Sequence, residues 1–205
     1  MRLYVATKNH GKLQEMEQLF AGAPFELATY ERYDDPAEGD VSYADNAALK
    51  ARSLHAQLRR AGLPANVLAD DSGLEVFALD RRPGVLTAYY GGIDLPWSER
   101  RRRLVEELDA SGSDDRRARF VCVLHFIDER GREFATMATV DGEIAPEDRG
   151  DGGMSFDPIF WYPPLGRTFG ELTAEEKNRV SHRAIAAAAL VTAVTLAGAG
   201  DYERR

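Results

Sequence analysis

The sequence predicts an α/β fold, and three features predict it. A strand, a loop and a helix follow one another near the N-terminus. A long Ala- and Leu-rich helix then leads into a short apolar run, and two long apolar segments form a hairpin in the second half of the chain. Arg2 to Thr7 reads as the first strand. Gly11 to Phe20 places Leu13, Met16, Leu19 and Phe20 at helical spacing, so a helix follows. Phe25 to Tyr30 reads as a second strand. Asp34 to Asp40 is acidic and contains Pro36 and Gly39, which predicts a loop. Tyr43 to Ala61 predicts a long helix. Asn66-Val67-Leu68, bounded upstream by Gly62 and Pro64, reads as a buried strand that ends in a polar turn at Asp70, with Leu74 to Leu79 as the next strand. Trp97 to Leu108 predicts an amphipathic helix. Arg119 to Asp128 and Arg132 to Gly142 flank the turn signal Glu129-Arg130-Gly131, which predicts a hairpin that could form a second lobe. Gly142 to Trp161 is a glycine-rich, acidic loop region. Thr173 and Glu176 make a capping-box pattern for a short helix, and Ser181 reads as the N-cap of the last one. No repeat, linker or low-complexity tract interrupts the chain, so residues 1–205 are expected to form one α/β domain.

Composition narrows the function. The chain has 205 residues, 44% of them hydrophobic and 29% charged, which suits a globular protein with a sizeable core. A net charge of -8 argues against sequence-independent nucleic-acid binding, which needs a basic face. The run Arg100 to Arg103 is followed by Glu106, Glu107 and Asp109, as expected of a solvated helix face. Cys122 stands alone within an apolar run and predicts a buried, inert thiol. With no disulfide framework and no signal-peptide core at the N-terminus, a reducing, cytoplasmic setting is expected. Ala184 to Gly200 is apolar but short and rich in Ala, Thr and Gly, so it predicts a packed C-terminal helix and no membrane role.

Three segments carry chemistry. Ala69-Asp70-Asp71-Ser72-Gly73-Leu74 sets two carboxylates side by side at a strand end. Adjacent carboxylates repel unless a cation lies beside them, and a hard cation such as Mg2+ takes oxygen ligands together with substrate phosphates. The same residues are also ordinary turn formers and fit an Asx turn. Thr7-Lys8-Asn9-His10-Gly11-Lys12 joins a strand to a helix N-terminus, where free N–H groups suit an anion; a capped helix start fits equally well. His182 and Arg183 fall in the first turn of the last helix, where cations oppose the helix dipole, so an anionic ligand is expected there. The lysines support the pattern. Of 26 Lys and Arg residues only Lys8, Lys12, Lys50 and Lys177 are lysine, and all four fall in candidate site segments.

Taken in order, these segments resemble the inosine triphosphate pyrophosphatase family over nearly the whole chain. The resemblance rests on Thr7-x-Asn9-x-x-Lys12, on Ser42-Tyr43-Ala44-Asp45-Asn46-Ala47-Ala48-Leu49-Lys50-Ala51, and most strongly on the Asp70-Asp71-Ser72-Gly73 motif. Pro83-Gly84-Val85, Arg119 to Leu124, Asp157-Pro158-Ile159-Phe160, Glu171-Leu172, Glu176-Lys177 and Ser181-His182-Arg183 extend it. It implies a two-lobed mixed-sheet α/β fold with a central substrate cleft, a Mg2+ requirement and a homodimer. The implied reaction converts deaminated purine nucleoside triphosphates (ITP, dITP, XTP) and water to the monophosphate and pyrophosphate. By the same resemblance Glu38 and Asp71 bind the metal, Asp71 also serves as the base, and Asp70 is its acidic partner. Thr7, Asn9, Lys12, Lys50, Ser72 and Lys177 hold the triphosphate, while Met154, Phe156, Asp157, His182 and Arg183 meet the base.

Three departures bear on the base. The family's usual Gly-Phe-Gly-Tyr-Asp-Pro is Gly153-Met154-Ser155-Phe156-Asp157-Pro158 here, which replaces a stacking ring with a softer thioether. Its Ser-Ala-Arg-Tyr is Thr87-Ala88-Tyr89-Tyr90, and its usual Glu is Asp45. These changes leave two alternatives: a nucleotide-binding regulator without catalysis, or the same chemistry on another modified base.

Overall fold

The computed structural model describes residues 1–202, with side chains to residue 197. In chain order the strands are β1 (Arg2–Val5), β2 (Glu26–Ala28), β3 (Val67–Val76), β4 (Arg117–Ile127), β5 (Glu133–Ile144), β6 (Phe160–Tyr162) and β7 (Arg167–Thr168). The helices are α1 (His10–Leu19), α2 (Tyr43–Arg60), α3 (Trp97–Ala110), α4 (Ala174–Val180) and α5 (His182–Tyr202). One mixed sheet has the strand order β2-β1-β3-β4-β5-β6-β7. β1 runs parallel to β2 and β3, whereas β6 is antiparallel to β5 and β7.

Contacts divide the chain into two compact units. The first holds Met1–Asp71, Cys122–Ala138 and the chain from Arg183 onward; the second holds Ser72–Val121 and Thr139–His182. The 117–144 hairpin therefore makes no lobe of its own, because each unit takes part of both its strands.

In the first unit the strands are covered on both faces. Leu3, Val5, Leu68, Cys122, Leu124 and Phe126 pack with Met16 and Phe20 on one side and with Ala186, Ala187 and Leu190 of α5. Tyr4, Ala6, Val67 and Ala69, the alternate residues of the same strands, pack with Ala51, Leu54 and Leu58 of α2. Successive side chains of a strand point to opposite faces, so β1 and β3 feed two apolar layers at once, as buried parallel strands do. α5 buries its small residues in this core, as its composition suggests. Among the described residues no single helix is long and apolar enough to cross a membrane.

The second unit has its own core. Leu74, Val76, Leu104, Leu108, Phe120, Val140 and Ile144 meet Phe156, Phe160 and Phe169 there. Thr173 accepts from Glu176 N and the Glu176 side chain returns the bond, so the expected capping box opens α4. A second one, Thr168 with Glu171, caps the turn just before it.

Two expectations change. The predicted turn at Asp70 is absent: β3 runs unbroken through Asp70, Asp71, Ser72 and Gly73, and 77–79 is a single 3-10 turn where a strand was expected. Charged residues can stay within a strand when cations from covering helices meet them, and here they do. The face of α3 is only partly solvated. Arg102 and Arg103 pair with Glu99 along the helix. Arg100, by contrast, is buried; it donates to the carbonyls of Leu95 (2.9 Å), Ala88 (2.9 Å) and Ile93 (2.5 Å) and lies 4.4 Å over the Trp97 ring.

Removal of the α4 cap by Thr173→Ala is expected to lower unfolding free energy by about 1 kcal/mol, read as a lower midpoint in urea with an unchanged slope.

Candidate active site

Strand alternation decides the site of the first unit. Asp70 shares the face of Leu68 and meets α1 and α5; Asp71 shares the face of Ala69 and meets α2. Asp70 is buried. One carboxylate oxygen pairs with Lys12 Nζ, and the other accepts from Arg183 Nε at 3.1 Å and from the Cys122 thiol at 3.3 Å. Arg183 also pairs with Glu15, which stands one turn beyond Lys12 on α1. The four groups form a chain of alternating charge, Lys12–Asp70–Arg183–Glu15. Burial by itself raises the Asp70 carboxyl, but the Arg183 guanidinium and the Lys12 ammonium overcome it and hold the group well below the usual carboxylate range. Burial and the nearby Asp70 charge push the Cys122 thiol well up, so it stays protonated and donates.

Asp71 has a different setting. Its Oδ1 accepts from Lys50 Nζ at 3.0 Å, and its Oδ2 accepts from Asn46 Nδ2 at 3.3 Å. Lys50 Nζ also reaches Glu38 Oε1 at 3.3 Å. Burial raises the Asp71 carboxyl and Lys50 only partly offsets it, so the group sits above the ordinary value. On Lys50, burial works against the charge, yet Asp71, Asp70 and Glu38 together raise its pKa and keep it an ammonium.

The loop before α1 is shaped by its own side chains. Thr7 Oγ1 accepts from Asn9 N at 3.1 Å, and Asn9 Oδ1 caps the helix by accepting from Lys12 N at 3.1 Å. Each side chain uses an oxygen for this and keeps a donor, the hydroxyl hydrogen or the amide nitrogen.

The second unit holds a separate cluster. Asp157 Oδ2 accepts from Lys177 Nζ and from Met154 N, each at 2.5 Å. A Cβ on Gly153, where φ is +71°, would sit 2.3 Å from that same oxygen, so glycine is required for the turn. Ser155 also adopts a left-handed φ of +52°, and Arg101, bidentate to Asp148, secures it by donating to Ser155 O at 2.7 Å. The His182 ring stacks on Phe120 with centroids 4.7 Å apart and planes 13° apart.

A sequence model of the Ham1 family matches residues 3–193. The chain belongs to the Ham1 family. It is 43% identical over 186 residues to a dITP/XTP pyrophosphatase of Geobacillus kaustophilus, covering 89% of this chain and 88% of that one. It is 40% identical over 195 residues to a dITP/XTP pyrophosphatase of Thermus thermophilus, covering 94% and 91%. Among solved structures, a HAM1 protein from Coxiella burnetii superposes with a TM-score of 0.81 at 34% identity, over 95% of this chain and 98% of that one.

Of the residues singled out in this Ham1 chain, the first unit brings together Glu38, Lys50 and Asp71 on one face of β3, and Lys12, Asp70 and Arg183 on the other. The second unit brings together Met154, Asp157 and Lys177. Two expectations are corrected. Phe156, expected at the base, is fully buried against Tyr90 and Trp97, and its ring packs in the core. Arg183 was expected to await an anionic ligand, but Asp70 and Glu15 already supply that anion, and the guanidinium is buried with them. Lys8 is exposed and lies over the Tyr33 ring, and Ser72 is half-buried on β3. Glu15, Asn46 and Cys122 were not anticipated as partners of the site. For Glu15 a signal existed: three residues past Lys12 it shares that helix face.

No group of three or more His, Cys, Asp or Glu side chains among the described residues could hold a metal ion by itself. Mg2+ needs only one or two carboxylates when water and phosphate oxygens complete its shell. Glu38 and Asp71 already converge on one cation, the Lys50 ammonium, so this donor pair fits such an ion.

Asp70→Asn should cost about 3–5 kcal/mol of stability, because it removes the anion shared by the buried Arg183 and the half-buried Lys12. Asp71→Asn should cost much less, since burial already disfavours its charge; thermal unfolding of both variants compares them. The signs on the pH axis differ too. The Asp70 contribution is complete above the unfolded carboxylate pKa of about 3.9 and is lost only as pH falls through a lower folded value. Wild type should therefore resist acid unfolding further than Asp70→Asn does.

Proposed function

We propose that the chain is a Mg2+-dependent nucleoside triphosphate pyrophosphatase. It hydrolyses deaminated purine nucleotides such as dITP, ITP and XTP to the monophosphate and pyrophosphate, and so cleanses the nucleotide pool. The observation that carries this reading is the division of the paired aspartates by strand alternation, in a chain 43% identical to a dITP/XTP pyrophosphatase. Asp70 has both oxygens committed to Lys12, Arg183 and Cys122, and its depressed pKa makes it a poor base. Asp71 has a raised pKa, and a base works best when its pKa approaches the operating pH.

Asp71 accordingly takes the proton of the water that attacks the α-phosphorus, and pyrophosphate leaves. Glu38 and Asp71 would hold Mg2+, which would supply neutralisation of charge on the phosphate oxygens. Lys12 and Lys50 add fixed positive charge, each oriented by an aspartate. Thr7, Asn9 and Ser72 donate hydrogen bonds to the phosphate chain. Arg183 and Asp70 act on Lys12, as positioning residues. Asp157 with Lys177 offers an acceptor beside a donor, which suits a base edge that carries a ring N–H and a carbonyl, as in hypoxanthine and xanthine. By the family resemblance Met154 and His182 also meet the base. A homodimer in the cytoplasm completes the reading, on the family resemblance.

The purified protein should release pyrophosphate, with no orthophosphate, from dITP and XTP. EDTA should stop the release and added Mg2+ restore it. A panel with GTP, ATP and modified pyrimidine triphosphates reads the base preference. Asp71→Asn should lower turnover by about 10²–10⁴-fold; a variant as active as wild type removes Asp71 from the chemistry. Only the carboxylate form of Asp71 accepts a proton. Protonation of Asp71 should therefore give kcat/KM an acid limb that vanishes from the residual activity of Asp71→Asn.

A further inference from the structure

Two amide side chains of α2 each grip the main chain of the acidic loop. Asn46 Oδ1 accepts from Gly39 N and its Nδ2 donates to Gly39 O, both at 2.9 Å. Gln57 repeats the pattern on Asp34: Oε1 accepts from the amide at 2.9 Å and Nε2 donates to the carbonyl at 2.8 Å. Each pair imitates one rung of a β-ladder.

The spacing fits a strap. From Asn46 to Gln57 a helix climbs about 16 Å, at 1.5 Å per residue. From Asp34 to Gly39 an extended chain covers about the same 16 Å, at 3.3 Å per residue. The segment therefore runs antiparallel to α2 with little slack, and Glu38 lies next to its tighter end. Asn46 is buried at 2% exposure and links the main chain beside Glu38, through Gly39, to Asp71 Oδ2 at 3.3 Å. Lys50, one turn further on α2, bridges the two carboxylates.

We propose that Asn46 and Gln57 are positioning residues: a two-point clamp that sets Glu38 opposite Asp71 in advance, so that the pair receives a divalent cation without ordering the loop. This rests on the pyrophosphatase reading for the purpose of the cation, but the clamp can be tested without substrate. A metal-bearing carboxylate depends on what holds it in place, and loss of such support lowers affinity by about 10–100-fold.

Mn2+ binding to the nucleotide-free protein, followed by electron paramagnetic resonance, is measured for wild type, Asn46→Ala and Gln57→Ala. Amide hydrogen exchange at Asp34 and Gly39 is measured in parallel. Asn46→Ala should weaken Mn2+ binding about tenfold or more and Gln57→Ala about threefold, with faster exchange at both amides in each. Gln57 is far from the carboxylates and half-exposed, so its variant carries the test if Asn46→Ala does not fold. Faster exchange with unchanged Mn2+ affinity would reduce the clamp to a structural staple and overturn the proposal. A wild type that binds no Mn2+ overturns it as well. Failure of the pyrophosphatase reading has a different signature: Mn2+ bound by wild type and weakened in the variants, with no pyrophosphate released from dITP or XTP.

Discussion

A carboxylate buried without partners costs several kcal/mol, and the first unit is arranged around the one at Asp70. Lys12 from α1, Arg183 from α5 and the Cys122 thiol from β4 all turn toward it. Glu15 extends the chain of charges by pairing with Arg183. The consequence is mechanical as much as electrostatic. A helix cannot drift when its lysine answers a charge that has no access to water, so α1, α5 and β3 are locked in register. The loop from Thr7 to Lys12 inherits that rigidity, with Asn9 capping the helix on which Lys12 stands.

Asp71 is one residue away and has the opposite character, because a strand sends neighbours to opposite faces. On the α2 face it meets Lys50 and Asn46, and burial lifts its pKa where Asp70 is depressed. Two identical side chains thus acquire distinct roles without any difference in chemistry. The second unit uses a smaller version of the same device. Lys177 and Asp157 neutralise each other in a buried pair, and a turn too tight for a side chain at Gly153 brings Met154 N onto the same oxygen.

Much of this was legible in the chain. The order of strands and helices followed from periodicity, and the capping box at Thr173 follows from two residues three apart. Of the lysines found in site segments, Lys12, Lys50 and Lys177 each face a carboxylate. Other features were not legible because they depend on partners distant in sequence. Asp70-Asp71-Ser72-Gly73 has the composition of a turn, yet it is strand, since helices from both directions bring cations to it. Arg100 sits in an arginine run that reads as solvated, but the carbonyls of 88–95 fold back over it. Phe156 occupies a motif position associated with the base, and the aromatic core claimed it.

By itself, then, the sequence determined the element order, the residue types able to bind a polyanion, and the family. Those depend on local periodicity and on motifs contiguous in the chain. Tertiary structure alone decided which aspartate is neutralised, which is left able to take a proton, and whose anion Arg183 serves. The physical reason is that a pKa, or an ion pair, belongs to an environment. That environment is assembled from α1, α2, β3 and α5, segments as far apart as Glu15 and Arg183, which no local pattern relates.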